Sequence, residues 1–435
     1  MCAASAEGSW DRHGHGFFDL YLMKIAIFYR DICSTTSEAF EFLNLASALV
    51  EKHEIIFWGG DGANLQLRPE GVRFNLYSDF KDLLYKLPIW FQKDKPDVLI
   101  VLGFFLLPNL PVVRSAKRHG VPIVLHPLGQ VADEVFAKKM FTVESNVRFM
   151  KQDGVYQDTL RQRIVVTANP HLKRLYKWLV GTLLVKQSDA IIVSSKEERR
   201  QFRQYYSRPY QDFMTLVRGI IPSDVAGSEP ETHFYRETLS YNDCLPNLVF
   251  WSRIEWYYKG LDRLLNGVKV VRDRVGSDNI PFRLFLMGPD YRGGISKAVK
   301  FINDHELQKS VYLLPPGSYP FGSKTPLRDA DGLVLLSRWD TGMTRCLREA
   351  MFFGVPVMVT PGTHFADVIT DYDCGLTIVD ADNPDSVADS LLMLINRQNQ
   401  VDWRKGASLA AQALTWSRAA SQMGQDLERF RHKHL

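Results

Sequence analysis

No apolar run in this 435-residue chain is long enough to cross a bilayer as a helix. Cysteine is scarce. Cys2, Cys33, Cys244, Cys346 and Cys374 are odd in number and far apart, and none has the C-x-x-C or Cys/His spacing of a zinc site. That excludes a disulfide framework and a zinc module, and reduced thiols in the cytoplasm are the expectation. Charge of one sign is also lacking: 53 Lys and Arg stand against 49 Asp and Glu, a formal +4, so nothing calls for nucleic acid. No G-x-G-x-x-G follows the first strand-like run, which argues against a nicotinamide enzyme. Residues 1–22 have neither the basic start nor the long apolar core of a secretory signal, and are expected to be a disordered leader with no part in the fold.

The composition, 46% apolar and 23% charged, is that of a soluble globular protein of two or three domains. Short β-branched runs alternate with helix-length segments. KIAIFYR (24–30), HEIIFWGG (53–60), PDVLIVLG (96–103), VPIVLHPLG (121–129) and SDAIIVSS (188–195) read as strands. After a turn-rich stretch the alternation restarts with NLVFWSR (247–253), FRLFLMG (282–288), VYLLPP (311–316), GLVLLS (332–337) and VPVMVT (355–360). Apolar strands separated by helices imply parallel sheets covered on both faces. The spacing thus predicts two doubly wound α/β domains, 23–213 and 247–413, joined by a linker at 214–246. In such sheets, ligands bind at the carboxyl ends of the strands.

Two stretches carry candidate chemistry. In SRWDTGMTRCLREAMFFGVPVMVT (337–360), the Thr341-Gly342-Met343-Thr344 turn leads into a helix, and its unpaired N–H groups favour an anion. Glu349, further into that helix, can accept hydrogen bonds from a pair of sugar hydroxyls, or be an ordinary solvated helix residue. In LVFWSRIEWYYKGLDRLL, Arg253 ends a strand and Lys259 opens the next helix. Two cations at one sheet edge can hold a diphosphate, although a surface Arg and Lys would look the same in isolation.

Together these stretches resemble the retaining nucleotide-sugar glycosyltransferases of the GT-B fold, family 4. SRIEWYYKGLDRLL is similar to the family's G-R-L…K-G-L-D signature, and FRLFLMGPD to its V-I-V-G-x-G-P strand. DADGLVLLSRWDTGMTRCLREAMFFGVPVMVT resembles the A-D…P-S…E-G-F-G…L-E-A-M-A-x-G-x-P-V-V-A-T core. SDAIIVSS resembles its A-D…V-S strand, and LTWSRAASQMGQDLERF its closing tryptophan-containing helix. The resemblance implies two Rossmann-like domains facing a central cleft, with helix 414–435 crossing back to complete the first. It gives the donor diphosphate to Arg253 and Lys259, the ribose hydroxyls to Glu349, and phosphate or sugar to the amides of Gly342, Met343 and Thr344. His126 matches the family's first-domain histidine near the donor sugar; on local sequence alone it reads as a structural histidine at a strand end.

The sequence departs from the family pattern in three places. Where the first of the family's two glutamates would stand there is Thr341, with Asp340 one residue earlier as the candidate substitute. The usual glycine pair after the first strand is replaced by Cys33-Ser34-Thr35-Thr36-Ser37. Thr344 replaces the second glycine of G-F-G.

The implied function is hexosyl transfer, with retention, from a nucleoside diphosphate sugar to a sugar or lipid-linked acceptor, in polysaccharide or glycan biosynthesis. No cofactor and no metal are expected: the D-x-D pairs at Asp329/Asp331, Asp371/Asp373 and Asp380/Asp382 read as chance turn pairs. The alternatives are a catalytically weak or inactive nucleotide-sugar-binding scaffold and a nucleotide-sugar epimerase of the same fold. Segment 136–210 holds 15 Lys and Arg against 6 Asp and Glu. It reads either as a face for an anionic membrane, placing the protein at the inner side of that membrane, or as a solvated basic surface with one core helix.

Overall fold

The computed structural model describes residues 23–32, 37–61, 69–104, 106–128, 170–206, 213–215, 234–235, 245–314, 325–340 and 344–434. The leader, residues 33–36, residues 136–169 and 207–210 of the basic segment, and Thr341, Gly342 and Met343 lie outside the described residues.

The first sheet is seven-stranded and parallel, in the order β3-β2-β1-β4-β5-β6-β7. Its strands are β1 (Lys24–Ile32), β2 (Glu54–Asp61), β3 (Arg73–Tyr77), β4 (Val98–Leu102), β5 (Ile123–His126), β6 (Ala190–Val193) and β7 (Phe213–Thr215). Helices α1 (Ser37–Leu49), α2 (Phe80–Asp94), α3 (Asn109–Arg118), α4 (Pro170–Gln187) and α5 (Lys196–Tyr205) connect them. The second sheet is six-stranded and parallel, in the order β10-β9-β8-β11-β12-β13. Here the strands are β8 (Asn247–Trp251), β9 (Arg283–Met287), β10 (Val311–Leu314), β11 (Gly332–Leu335), β12 (Val357–Val359) and β13 (Gly375–Thr377). Its helices are α6 (Leu261–Val275), α7 (Gly294–Asp304), α8 (Thr325–Arg328), α9 (Arg345–Phe352), α10 (Ala366–Tyr372), α11 (Pro384–Leu394) and α12 (Arg397–Ala413).

Residues on β4, β5 and β6 are buried throughout, as a sheet covered on both faces demands. Alternate residues of β1 feed two cores. Ala26 and Phe28 pack with Leu83, Phe91 and Val112 on one face, while Ile25 and Ile27 pack with Phe42, Leu43 and Leu45 on the other. That second layer is closed by the last helix, α13 (Trp416–His434), through Trp416, Met423, Leu427 and Phe430. The chain's last helix therefore belongs to the first domain's core.

Within the expected linker, 214–246, the structure describes residues 214–215, 234–235 and 245–246. Met214 and Thr215 extend β7, pairing with Ile192 and Val193. Phe234 and Tyr235 join the second core, where the Tyr235 hydroxyl donates to the Pro326 carbonyl at 2.7 Å. A three-residue edge strand leaves little periodicity to detect.

The two domains meet at the carboxyl edges of their sheets. Ser195, just past β6, places its Oγ 2.9 Å from Nδ1 of His364, past β12, and the Lys196 amide donates to Asp367 at 2.6 Å. Trp339, past β11, packs against the first domain's core. The loops that follow the strands of both sheets consequently face one cleft.

Candidate active site

Strand order reverses between β8 and β11, so the chain leaves the second sheet in opposite directions there and opens a crevice at its carboxyl edge. Two loops border it. One runs from Ser252 to Gly260 between β8 and α6; the other follows β11 and ends at Thr344, the N-cap of α9. Both sequence-selected cations lie on the first loop. Arg253 is exposed, with its guanidinium 4.4 Å from the centre of the Tyr291 ring and 5.9 Å from that of Tyr258. The Lys259 ammonium lies 5.3 Å from the same Tyr258 ring, on the way to its carboxylate partner.

That partner is Asp340. Lys259 Nζ donates to Asp340 Oδ2 at 2.6 Å, and both side chains are buried. The Thr344 hydroxyl donates to the same oxygen at 2.9 Å. A second pair ties the loops together: Arg338 forks onto both carboxylate oxygens of Asp262, at 2.7 and 2.8 Å. Gly260 makes the approach possible. Its φ is +68°, and a Cβ there would stand 1.9 Å from the Leu336 carbonyl oxygen.

Arg253, Lys259, Asp340 and Thr344 thus form one cluster spanning the crevice. Glu349 lies on the buried face of α9, where its carboxylate accepts from Arg345 at 2.7 Å. His126 stands in the other domain at the carboxyl end of β5, fully buried. Its ring meets that of Phe42 edge-on at 5.5 Å, and its Nδ1 accepts from the Leu128 amide at 3.3 Å. An accepting Nδ1 assigns the proton of the neutral ring to Nε2.

Sequence reasoning missed several residues around this cluster. Glu255 is buried on the same loop, with Arg292 Nη1 4.0 Å from its Oε1, and Tyr291 stacks under Arg253. Burial raises the Glu255 carboxyl above its ordinary range, against the opposing pull of Arg292, Arg253 and Lys259. The one available signal was an acid placed between two selected cations. Ser195 and His364 were missed because each lies in an unremarkable strand-end turn.

Among the described residues, no group of three His, Cys, Asp or Glu side chains could hold a metal ion, and no helix is long and apolar enough to cross a membrane.

Residues 245–397 match the model of a family described as glycosyl transferases group 1. No curated protein matches the chain in sequence. Solved structures match nearly the whole of it. Anabaena Alr3699/HepE in complex with UDP aligns at a TM-score of 0.67 and 14% identity, covering 94% of this chain and 100% of that one. Sucrose-phosphate synthase from Thermosynechococcus elongatus gives 0.64 and 14%, with 94% and 100% covered. WaaG, a glycosyltransferase involved in lipopolysaccharide biosynthesis, gives 0.60 and 14%, with 92% and 98% covered. The chain therefore has the two-domain GT-B fold of these structures, and its second domain carries the match to the glycosyl transferases group 1 family.

Proposed function

We propose that the protein is a retaining glycosyltransferase that moves a hexosyl unit from a nucleoside diphosphate sugar to a sugar or lipid-linked acceptor. The observation that carries this reading is the placement of Arg253 and Lys259 at the point where the second sheet's strand order reverses. A diphosphate seated there faces two cations within a crevice that domain closure can shield from water. The complex of Alr3699/HepE with UDP, a structure of the same fold, supports a nucleotide sugar as the donor.

In the proposed reaction the acceptor hydroxyl oxygen bonds to the anomeric carbon as the bond from that carbon to the phosphate oxygen breaks. The hydroxyl proton passes to the departing phosphate oxygen on the same face, which preserves configuration. Negative charge grows on the leaving diphosphate, and Arg253 and Lys259 stabilise it there. Glu349 would hold the ribose hydroxyls, releasing Arg345 to do so. The N-terminus of α9, with Gly342, Met343 and Thr344, would receive phosphate or sugar. His126 would line the acceptor side once the first domain opens to substrate, and no cofactor or metal is required.

The acceptor side of the proposal includes peripheral contact with an anionic membrane. On α4, Leu175, Trp178, Leu179 and Leu183 are exposed at helical spacing, with Lys186 exposed beside them. The rival reading, a nucleotide-sugar-binding scaffold, draws on the Lys259–Asp340 pair, since an ammonium already neutralised has less to give a leaving group.

A thermal-shift screen of UDP, GDP and ADP and their hexose conjugates tests the donor, because a true ligand raises Tm in proportion to the logarithm of its concentration. Release of the nucleoside diphosphate with a glycosylated acceptor of unchanged anomeric configuration supports transfer with retention. Inverted product removes retention. Binding with no turnover on any conjugate favours the scaffold.

A further inference from the structure

Glu255 is a buried acid of the crevice whose carboxylate is half unused. Its Oε1 faces Arg292 at 4.0 Å, whereas its Oε2 is buried with no hydrogen-bond partner among the described residues. A buried, unsatisfied carboxylate oxygen is costly, and ordinary folding would replace it with glutamine or an apolar residue. The backbone around it is fixed from two sides. The Ile254 amide donates to Pro289 at 2.8 Å, and the Tyr291 amide donates to Ile254 at 3.2 Å. Gly294, the first residue of α7, packs so closely that its Cβ would stand 3.1 Å from the Glu255 Cα. The side chain therefore has little freedom to reach solvent.

Charged groups surround it on every packed element. Arg253 and Lys259 share its loop, Arg292 and Lys297 come from the β9–α7 segment, and Asp340 comes from the loop after β11. Asp262, at the start of α6, also acts on Lys297. Four cations thus serve two nearby carboxylates, Glu255 and Asp340, together with Asp262. A diphosphate arriving at Arg253 and Lys259 changes this balance. It takes up the cations that sustain the Glu255 charge and brings its own negative charge close by.

From this geometry, and resting on the diphosphate reading above, we propose that Glu255 is a proton-linked positioning residue. Ionised, it holds Arg292 and Arg253 at the mouth of the empty site; when a nucleoside diphosphate replaces it as their partner, its Oε2 takes up one proton from solvent. Burial already raises this carboxyl above its ordinary range, which favours that protonation. No covalent bond changes: a carboxylate and a solvent proton become a carboxylic acid, and release of the nucleotide reverses the step.

The test is titration calorimetry of UDP, with GDP and ADP as further probes, into the full chain. It is run at one near-neutral pH in buffers of different ionisation enthalpy, then across pH 6 to 8. Wild-type protein should take up a substantial part of one proton per nucleotide, and its affinity should fall with rising pH, by about tenfold per unit where uptake is complete. Glu255→Gln, which imitates the protonated form, should bind with that uptake removed and the pH slope flattened. Protonation of the nucleotide itself contributes equally to both proteins and cancels in the difference. A merely structural role would instead weaken binding equally at every pH. Should the glutamine variant fail to fold, Glu255→Asp keeps the acid and should keep the slope, while Arg292→Ala should reduce the uptake. Equal proton uptake in wild type and Glu255→Gln, with binding that still depends on Arg253 and Lys259, overturns the inference and leaves the diphosphate site standing. Wild-type protein that binds none of the three nucleotides overturns both.

Discussion

Lys259 and Asp340 form a buried ion pair, 2.6 Å from nitrogen to oxygen, across the crevice where the second sheet reverses its strand order. The lysine is therefore fixed in position before any ligand arrives, and its flexible stem has no entropy left to lose on binding. Truncating it removes the charge proposed to stabilise the leaving group and also strands a buried carboxylate. Lys259→Ala should lower turnover by roughly 10²–10⁴. It should also destabilise the fold by about 3–5 kcal/mol, since Asp340 loses its counter-charge. The double variant Lys259→Met with Asp340→Asn should recover most of that stability in urea titrations while staying inactive. Recovery of turnover along with stability would mean that Lys259 serves the fold alone.

Gly260 links that pair to the backbone. Its φ of +68° strains any other residue, and an added Cβ would collide with the Leu336 carbonyl at 1.9 Å. Backbone cannot yield there as a flexible side chain would. Gly260→Ala should cost about 2–4 kcal/mol in chemical denaturation, through steric overlap and left-handed strain together. It should also weaken nucleotide binding, because the start of α6 must shift and Lys259 moves with it. A melting temperature unchanged from wild type would show that the loop can relax.

Much of the architecture was legible because both sheets are parallel and buried. Runs such as VLIVL in β4 and LFLM in β9 are apolar throughout, which only a strand covered on both faces tolerates. β3 escaped notice because it is an edge strand with mostly half-exposed residues, and β7 because three residues carry no period. The candidate site was legible where type and position coincide, as with Arg253 at a strand end and Lys259 before a glycine. The pairings were not. Nothing local in the sequence tells that Asp340 anchors a lysine 81 positions earlier. Nor can spacing reveal that Ser195 meets His364 across the cleft. The first depends on how two loops of one sheet meet, and the second on how two separately folded sheets are docked.

The Glu255 carboxyl gives stability a definite pH dependence. Its pKa in the folded protein is raised above the unfolded value, with burial the main cause. The folded state then binds more proton than the unfolded one between those two values. The contribution to stability is complete below the unfolded pKa and is lost as pH rises through the folded one. Glu255→Gln removes the desolvated charge, so its melting temperature should exceed that of wild type at pH 7 to 8. The difference should shrink as pH falls towards 4. A glutamine variant less stable than wild type at pH 8 and equal at pH 4 would instead mean that the cations outweigh burial.

Across the cleft, Ser195 has two tasks. Its Oγ accepts the Glu198 amide at 3.0 Å as the N-cap of α5, and the same oxygen meets His364 of the second domain at 2.9 Å. His364 itself sits in the left-handed region at φ 58°, an unusual conformation for a non-glycine residue, in the turn after Pro361–Thr363. These two roles can be separated. Ser195→Ala loses both the cap and the contact, at a cost of about 1 kcal/mol from the cap alone. His364→Ala loses the contact but leaves α5 capped. If this contact holds the domains together during transfer, His364→Ala should lower turnover with little change in nucleotide affinity, because the proposed diphosphate site, Arg253 and Lys259, lies within the second domain. Small-angle scattering of the nucleotide-bound protein should then report a larger radius of gyration for His364→Ala than for wild type. Should affinity fall in step with turnover at an unchanged radius, His364 acts on the nucleotide site rather than on closure, and the contact with Ser195 is incidental to it.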